Sequence, residues 1–161
     1  MHSILSPPVH NAAMIEKLPL LIDTDPGVDD ALALLMAFDA PHHEVIALTI
    51  AAGNVGLKHT VANALKLCEV AGVDVPVYGG CDAPLLHPAP DASYVHGRDG
   101  FGDIGYAPAA KQAEAEHAAQ AMVRLSHAHA GNLVVCMLGP LTNLAVALAG
   151  LAAYFNLGQR E

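Results

Sequence analysis

The chain has 161 residues, of which 53% are hydrophobic and 14% are charged, a composition typical of one globular domain with an apolar core. The formal net charge of −9 argues against binding to nucleic-acid phosphates or to an anionic membrane, and favours a protein that binds cations or small neutral ligands. The three Cys residues form no C-x-x-C pair, so we expect reduced thiols in a cytoplasmic protein rather than disulfides or a zinc site.

Residues 1–17 precede the first strongly apolar segment. They lack a basic start followed by a long apolar stretch, so a signal peptide is not expected. No apolar run in the chain reaches the length of a membrane span. We interpret residues 1–17 as a flexible extension and residues 18–161 as one α/β domain.

Short apolar runs alternate with segments of helical periodicity along the domain. This alternation predicts an α/β fold with a mostly parallel open sheet and flanking helices. In chain order, the pattern predicts a strand Leu18 to Asp23, a helix Asp29 to Phe38, a strand Glu44 to Ile50, a helix Lys58 to Ala71, a strand Val75 to Gly80, a loop Cys81 to Ala109, a helix Glu114 to Ala130, a strand Asn132 to Leu138, and a final helix after the turn GPLTN.

Polar loops follow three of the predicted strands. Their sequences are DTDPGVDD, AAGN and LGPLTN. In open parallel sheets, ligands bind beyond the carboxyl ends of the strands, so we expect these loops to gather at one edge. Taken singly, Asn54 could be only a turn former, and Thr142 and Asn143 could merely cap the last helix.

Four Asp residues, at positions 23, 25, 29 and 30, fall within eight positions of the first of these loops. The turn at Pro26 and Gly27 lets both pairs face one point. Crowded carboxylates repel one another unless a cation lies among them, and a hard cation such as calcium prefers oxygen ligands. Acids in a first helical turn also interact favourably with the helix dipole, which would explain Asp29 or Asp30 without a metal.

Two other motifs were considered for the same segment. An EF-hand loop starting at Asp23 would need Glu at its twelfth position, where the chain has Leu34. A dehalogenase-type phosphatase opens with D-x-D-x-T, and Gly27 stands where Thr is expected. The first alternative fails, and the second is a weaker match that stays open at this point.

The segment LLIDTDPGVDDALALL resembles the N-terminal signature of the inosine-uridine-preferring nucleoside hydrolases. Three further segments match that family in order: AAGNVG, VHGRDGFGD and LGPLTNLA. The resemblance covers roughly Leu18 to Leu148. It implies an enzyme that cleaves the N-glycosidic bond of nucleosides to free base and ribose, with calcium as cofactor and a role in purine and pyrimidine salvage.

The resemblance also implies roles for individual residues. Asp25 would ligate calcium and take a proton from the attacking water, Asp30 would be a bidentate calcium ligand, and Leu138 would ligate through its main-chain carbonyl. Asp23 would not bind the metal itself but would support the residues that do.

On the substrate side, Asp29 and Asn54 would bind the ribose or position the water. His96 would lie near the base. Taken alone, His96 could equally be one of several surface His residues, since the chain has ten.

The family's domain is considerably longer than this chain. Its second half normally supplies an Asp that completes the calcium shell, a His that protonates the leaving base, and further groups that bind the ribose. From this difference we expect weak or no hydrolysis by the 161 residues alone. A non-catalytic module that binds calcium or ribose, or that pairs with a partner or a second copy, is the alternative.

Overall fold

A computed structural model describes residues 17–87 and 92–158, so all of the proposed extension 1–17 except Lys17 lies outside the described residues. Strands and helices alternate as the sequence predicts. In chain order they are β1 (Leu18–Thr24), α1 (Val28–Phe38), β2 (His43–Ile50), α2 (Leu57–Ala71), β3 (Val77–Gly79), α3 (Ser93–His96), α4 (Ala118–Ala128), β4 (Val134–Met137) and α5 (Thr142–Gly158).

The four strands form one sheet in the order β3-β2-β1-β4, and every pair is parallel. The predicted fold class, a parallel open sheet with flanking helices, is confirmed. β1 is central, and Asp23 near its end lies in register with Thr49 of β2 and Met137 of β4. The loops after these three strands therefore start at the same edge of the sheet.

Alternate residues of β1 face opposite layers of helices, which explains why the strand is apolar throughout. Leu20 and Ile22 belong to a core cluster that includes Leu34 of α1. Leu21 belongs to a second cluster that includes Met122 of α4. The central strand is thus covered on both faces, and its polar residues can appear only at its end.

The third strand is shorter than predicted. The sequence predicts Val75 to Gly80, and the structure has Val77–Gly79. Pro76 has no N–H to donate to a ladder, although its carbonyl accepts a hydrogen bond from the N–H of Leu48 at 3.0 Å. The predicted loop that follows, Cys81 to Ala109, contains the short helix α3.

The helix predicted over Glu114 to Ala130 begins four residues later than expected. Glu114 stays extended because its N–H donates to the carbonyl of Val77 at 2.8 Å, in a bridge beside β3. The helix starts after His117, whose side chain accepts a hydrogen bond from the N–H of Ala119. The contact with the sheet therefore overrides the helical periodicity of this segment.

Gly72 ends α2 in the left-handed region, with φ of 67°. In the part of the chain that the structure describes, no atom lies within 4 Å of a Cβ placed there, so only the backbone conformation opposes a side chain. We expect Gly72→Ala to lower the free energy of unfolding by about 1 kcal/mol. Gly72→Asn should cost less, because Asn tolerates this conformation better. Urea unfolding of both variants measures the two losses in free energy of unfolding. Equal losses for Ala and Asn would contradict the prediction.

β3 and β4 form the two edges of the described sheet. Val135 of β4 is 44% exposed, and Leu148 of α5 is 56% exposed, so apolar side chains face solvent on this side. Association of two copies through the exposed edge at β4 stays a prediction.

None of the described helices is long and apolar enough to cross a bilayer.

Candidate functional site

The site is built around Asp25 and Asp30, which come from either side of the turn between β1 and α1. Asn54, in the loop after β2, connects them. Its backbone N–H donates to Oδ2 of Asp25 at 2.6 Å, and its side-chain Nδ2 donates to Oδ2 of Asp30 at 3.0 Å. The same Nδ2 also donates to the main-chain carbonyl of Asp25 at 3.0 Å. One residue thus holds both carboxylates in a fixed relation.

Asp30 receives further hydrogen bonds from its own loop. The hydroxyl of Thr24 donates to Oδ1 at 2.6 Å, and the N–H of Gly27 donates to Oδ2 at 3.2 Å. Gly27 is the N-cap of α1, so Asp30 also satisfies an N–H at the start of the helix. Asp30 therefore stabilises the start of α1, as expected for an acid in a first helical turn. Its carboxylate also accepts a hydrogen bond from Asn54, which contacts Asp25 as well.

Two glycines leave room for the carboxylate of Asp25. A Cβ on Gly53 would lie 2.0 Å from Oδ2 of Asp25, and a Cβ on Gly139 would lie 2.5 Å from Oδ1. Gly53 follows β2 and Gly139 follows β4, so the carboxylate is enclosed by the loops of both neighbouring strands. Only a residue without a side chain fits at either position.

Asp23 is fully buried behind this pair. Its Oδ2 accepts hydrogen bonds from the Thr49 hydroxyl at 2.8 Å and from Nδ2 of Asn143 at 2.9 Å. Its Oδ1 is buried and has no hydrogen-bond partner among the described residues. Oδ1 of Asn143 in turn accepts from the N–H of Cys81 at 2.8 Å. Asp23 and Asn143 therefore link the carboxyl ends of β1 and β2 to the segment after β3.

Burial raises the pKa of Asp23 to about 6, and the nearby charge of Asp25 adds to this effect. Hydrogen bonds from Asn143 and Thr49 oppose it. The pKa of Asp25 is also raised to about 6, first by burial and then by the charges of Asp30 and Asp29. A bound cation would offset both the burial and the repulsion.

Asp29 and His96 lie together at the outer side of the site. Nδ1 of His96 is 3.4 Å from the backbone N–H of Val28 and 3.7 Å from Oδ1 of Asp29. The side chain of Asp29 is 80% exposed, whereas that of His96 is 12% exposed. A ligand could therefore reach Asp29 directly, with His96 packed beside it. A Cβ on Gly27 would lie 2.8 Å from Nδ1 of His96, so Gly27 allows this approach.

Leu138 lies where β4 ends. Its N–H donates to the main-chain carbonyl of Asp23 at 2.8 Å, and its side chain is 44% exposed. The next residue, Gly139, packs against the Asp25 carboxylate. The backbone of Leu138 is thus one residue from the centre of the site.

The structure brings together all the residues that the sequence singles out in the loops after β1, β2 and β4, and places His96 beside them. Sequence reasoning missed Thr24, Thr49, Gly53 and Gly139. A glycine or hydroxyl residue next to a strand end is too common a pattern to identify them. Asn143 was considered only as a helix cap, whereas its amide is used by Asp23 and Cys81.

An apolar groove of about 810 Å³ opens separately between α4 and α5. Val123, Val146 and Leu151 line it, with Arg124 and His127 among its polar residues. None of the four carboxylates contributes to its lining. Its shape would suit an apolar group, but it lacks the clustered acids that carry chemistry, so the candidate site is the one at the strand ends.

Comparison with known proteins identifies the family to which the chain is similar. The family model described as inosine-uridine preferring nucleoside hydrolase matches residues 20–153. Uridine nucleosidase 1 of Arabidopsis thaliana is 44% identical over 131 residues, which are 80% of this chain and 39% of that protein. The pyrimidine-specific ribonucleoside hydrolase RihB of Escherichia coli is 36% identical over 134 residues, 83% of this chain and 43% of that protein.

Among solved structures, a purine-preferring ribonucleoside hydrolase from Gardnerella vaginalis superposes with a TM-score of 0.78 at 32% identity. The match covers 82% of this chain and 43% of that one. The chain thus spans about two fifths of the length of these relatives. Since the family model covers most of the chain and includes all three strand-end loops, the chain belongs to the inosine-uridine-preferring nucleoside hydrolase family.

Proposed function

We propose that the protein hydrolyses the N-glycosidic bond of ribonucleosides to free base and ribose, with calcium bound at Asp25 and Asp30. The observation that carries this proposal is the Asn54 bridge, which donates hydrogen bonds to both carboxylates. Relatives named for uridine, pyrimidine and purine substrates support nucleoside hydrolysis as the reaction class. Because their named bases differ, they leave the base preference open.

Asp25 is the proposed base. In the reaction, a water oxygen bonds to the anomeric carbon, its proton passes to Asp25, and the carbon–nitrogen bond breaks with its electron pair going to the leaving base. In the metal-free site burial raises the pKa of this carboxylate to about 6, and bound calcium would lower it, so Asp25 would take the proton in its ionised form. Asn54 and the flanking glycines keep Oδ1 and Oδ2 of Asp25 in place during this transfer.

Asp29 and His96 are the proposed contacts to substrate. The exposed carboxylate of Asp29 can accept hydrogen bonds from ribose hydroxyls. His96, held beside it, would lie towards the base. The side-chain Nδ2 of Asn54 already donates to the main-chain carbonyl of Asp25 and to the carboxylate of Asp30. Asn54 would therefore position the water rather than bind ribose directly.

The donor chemistry at this site fits calcium. Asp25 and Asp30 offer carboxylate oxygens, and the main-chain carbonyl of Leu138 offers a third ligand, all of the oxygen type that calcium prefers. Bound calcium would lower the pKa of a coordinated water and orient ribose hydroxyls. Asp23, with an unpartnered buried oxygen behind these ligands, would support them.

The described residues supply only a part of a calcium shell. Among them, no group of three His, Cys, Asp or Glu side chains could hold a metal, and calcium takes about six to eight oxygens. Water and substrate would have to supply the remainder, so we expect weak calcium affinity, with Kd on the order of 10⁻⁴ M or higher. Calcium or ribose binding without turnover is the second candidate function, and the small ligand set favours it.

Ribose release decides between the two functions. The purified chain is incubated with uridine and with inosine, in calcium or in excess chelator, and free ribose is measured. We expect slow release that needs calcium, because no described side chain is assigned to protonate the leaving base. Asp25→Asn keeps the size of the side chain but removes the base, so release should fall to background.

Each outcome has a distinct meaning. Release that is equal with and without calcium, or unchanged in Asp25→Asn, contradicts the proposed mechanism. Calcium binding measured by calorimetry, together with no ribose release, supports the non-catalytic alternative. Release of phosphate from a phosphomonoester with magnesium would revive the dehalogenase-type alternative, which the family assignment no longer favours.

A further inference from the structure

The amide of Asn63 connects two segments that border the site. Asn63 lies on α2 and is fully buried. Its Nδ2 donates to the main-chain carbonyls of Pro26 and Asp99, each at 2.9 Å, and its Oδ1 accepts from the hydroxyl of Tyr106. Pro26 lies in the turn between β1 and α1, and Asp99 lies three residues after His96. One side chain therefore joins the turn of the acidic cluster to the loop that carries His96.

The loop around Asp99 is braced internally. Oδ1 of Asp99 accepts hydrogen bonds from the N–H groups of Phe101 at 2.7 Å and Asp103 at 2.9 Å. The N–H of Gly102 donates to the carbonyl of His96 at 2.7 Å. With these bonds the segment 96–103 behaves as one unit. The position of His96 then depends on where this unit is attached to the domain.

The direct contact of His96 with the domain is weak. Its hydrogen bond from the N–H of Val28 is 3.4 Å long, and its contact with Asp29 is 3.7 Å. By contrast, Asn63 makes two 2.9 Å bonds from a site with no exposure to water. Gly100 packs closely on the same amide, since a Cβ there would lie 2.7 Å from Nδ2 of Asn63. The segment is also attached by the N–H of Ala92, which donates to the carbonyl of Asn54 at 3.2 Å, and by Phe101, which packs on the core. Among its polar attachments, Asn63 is the one that joins the loop directly to the turn at Pro26.

We propose that Asn63 is a positioning residue for nucleoside binding, acting by holding His96 against Asp29. The inference rests on the proposed function, because it requires a nucleoside at this site. Both N–H donors of Asn63 are used by Pro26 and Asp99, so it donates to neither Asp25 nor Asp30. Although Asn63 also contacts the turn at Pro26, Asn54 holds the carboxylates of Asp25 and Asp30 independently. Loss of Asn63 should therefore weaken substrate binding much more than calcium affinity or the chemical step.

Asn63→Asp tests this proposal. The substitution keeps the shape and the acceptor for Tyr106, but it places a carboxylate oxygen against two carbonyl oxygens. We expect KM for uridine to rise about tenfold, the effect of losing a hydrogen bond of ordinary strength, while kcat stays within about twofold. Cleavage by trypsin after Arg98, whose side chain is 88% exposed, should quicken as the loop detaches.

Two further variants serve as control and as a second test. Tyr106→Phe removes the hydroxyl on the other side of the amide and leaves both donors in place, so KM and cleavage after Arg98 should match the wild type. Gly100→Ala keeps the amide of Asn63 but places a Cβ 2.7 Å from its Nδ2, in a backbone with φ of 84° that disfavours Ala. Both effects detach the loop, so this variant should reproduce the effects of Asn63→Asp if that variant fails to fold.

The outcomes separate this inference from the proposed function. Unchanged KM and unchanged cleavage in both Asn63→Asp and Gly100→Ala would overturn the positioning role. A fall in kcat with constant KM would also overturn it. A wild-type chain that neither binds uridine nor releases ribose overturns the proposed function instead, and takes with it the role in nucleoside binding.

Discussion

Gly53→Ala should abolish most ribose release, and Gly56→Ala, three residues later in the same loop, should not. A Cβ on Gly53 would lie 2.0 Å from Oδ2 and 2.7 Å from Cγ of Asp25, with Pro140 2.9 Å away. The Asp25 carboxylate would have to swing out of its hydrogen bond with Asn54. Displacing a catalytic group by about 1 Å costs on the order of a hundredfold in rate, so we expect at least that loss in kcat.

Gly56 is a closely matched control. It precedes α2, and none of the described residues has an atom within 4 Å of a Cβ placed there. Its φ of −61° and ψ of 151° suit an Ala residue. Gly56→Ala should therefore change the free energy of unfolding by less than about 1 kcal/mol, with wild-type kcat.

Thermal unfolding and calcium titration accompany the rate measurements on both variants. Gly53→Ala should remain folded, since crowding a core typically costs about 1–3 kcal/mol, but its calcium affinity should fall with the displaced ligand. Equal kcat and equal calcium affinity in the two variants would show that the Asp25 carboxylate does not work in the position described.

The fold followed from sequence because its strongest signals are local. The run from Leu18 to Asp23 is apolar on both faces, and this pattern has few outcomes besides a central parallel strand. The start of α4 was missed because Glu114 bridges to Tyr78, a contact with a distant strand that periodicity does not contain. Sequence patterns predict the bounds of an element wrongly where contacts with distant residues determine those bounds.

The same distinction applies to the site. Asp23, Asp25, Asp29 and Asp30 could be found because they cluster in sequence after a strand. Thr49 and Asn143 meet at Asp23 only through the fold, from positions 26 residues after it and 120 residues after it. Asn63 lies on a helix whose periodicity gives no reason to expect a polar side chain inside, so only the structure reveals its contacts.

Asn143→Leu should lower the free energy of unfolding by about 3 kcal/mol at pH 7.5, the cost expected for a buried carboxylate that loses a hydrogen-bond donor. Asp23 is fully buried and one of its oxygens already lacks a partner, so after the change only Thr49 would donate to it. Leu keeps the branched shape of Asn but is larger, so a part of the loss is crowding at this buried position. The N–H of Cys81 would also lose its acceptor.

A double-mutant cycle with Asp23→Asn separates the two losses. In the Asp23→Asn background position 23 carries no charge, so Asn143→Leu should cost at least about 1 kcal/mol less than in the wild type. The residual cost reports the unpaired N–H of Cys81, the neutral hydrogen bond lost between Asn143 and the amide at position 23, and any change in packing against Gly80. Urea unfolding of the four proteins in chelator gives the coupling energy directly. Equal costs in both backgrounds would mean that Asn143 does not stabilise the charge of Asp23. Its contribution to stability would then come from contacts such as the hydrogen bond with Cys81.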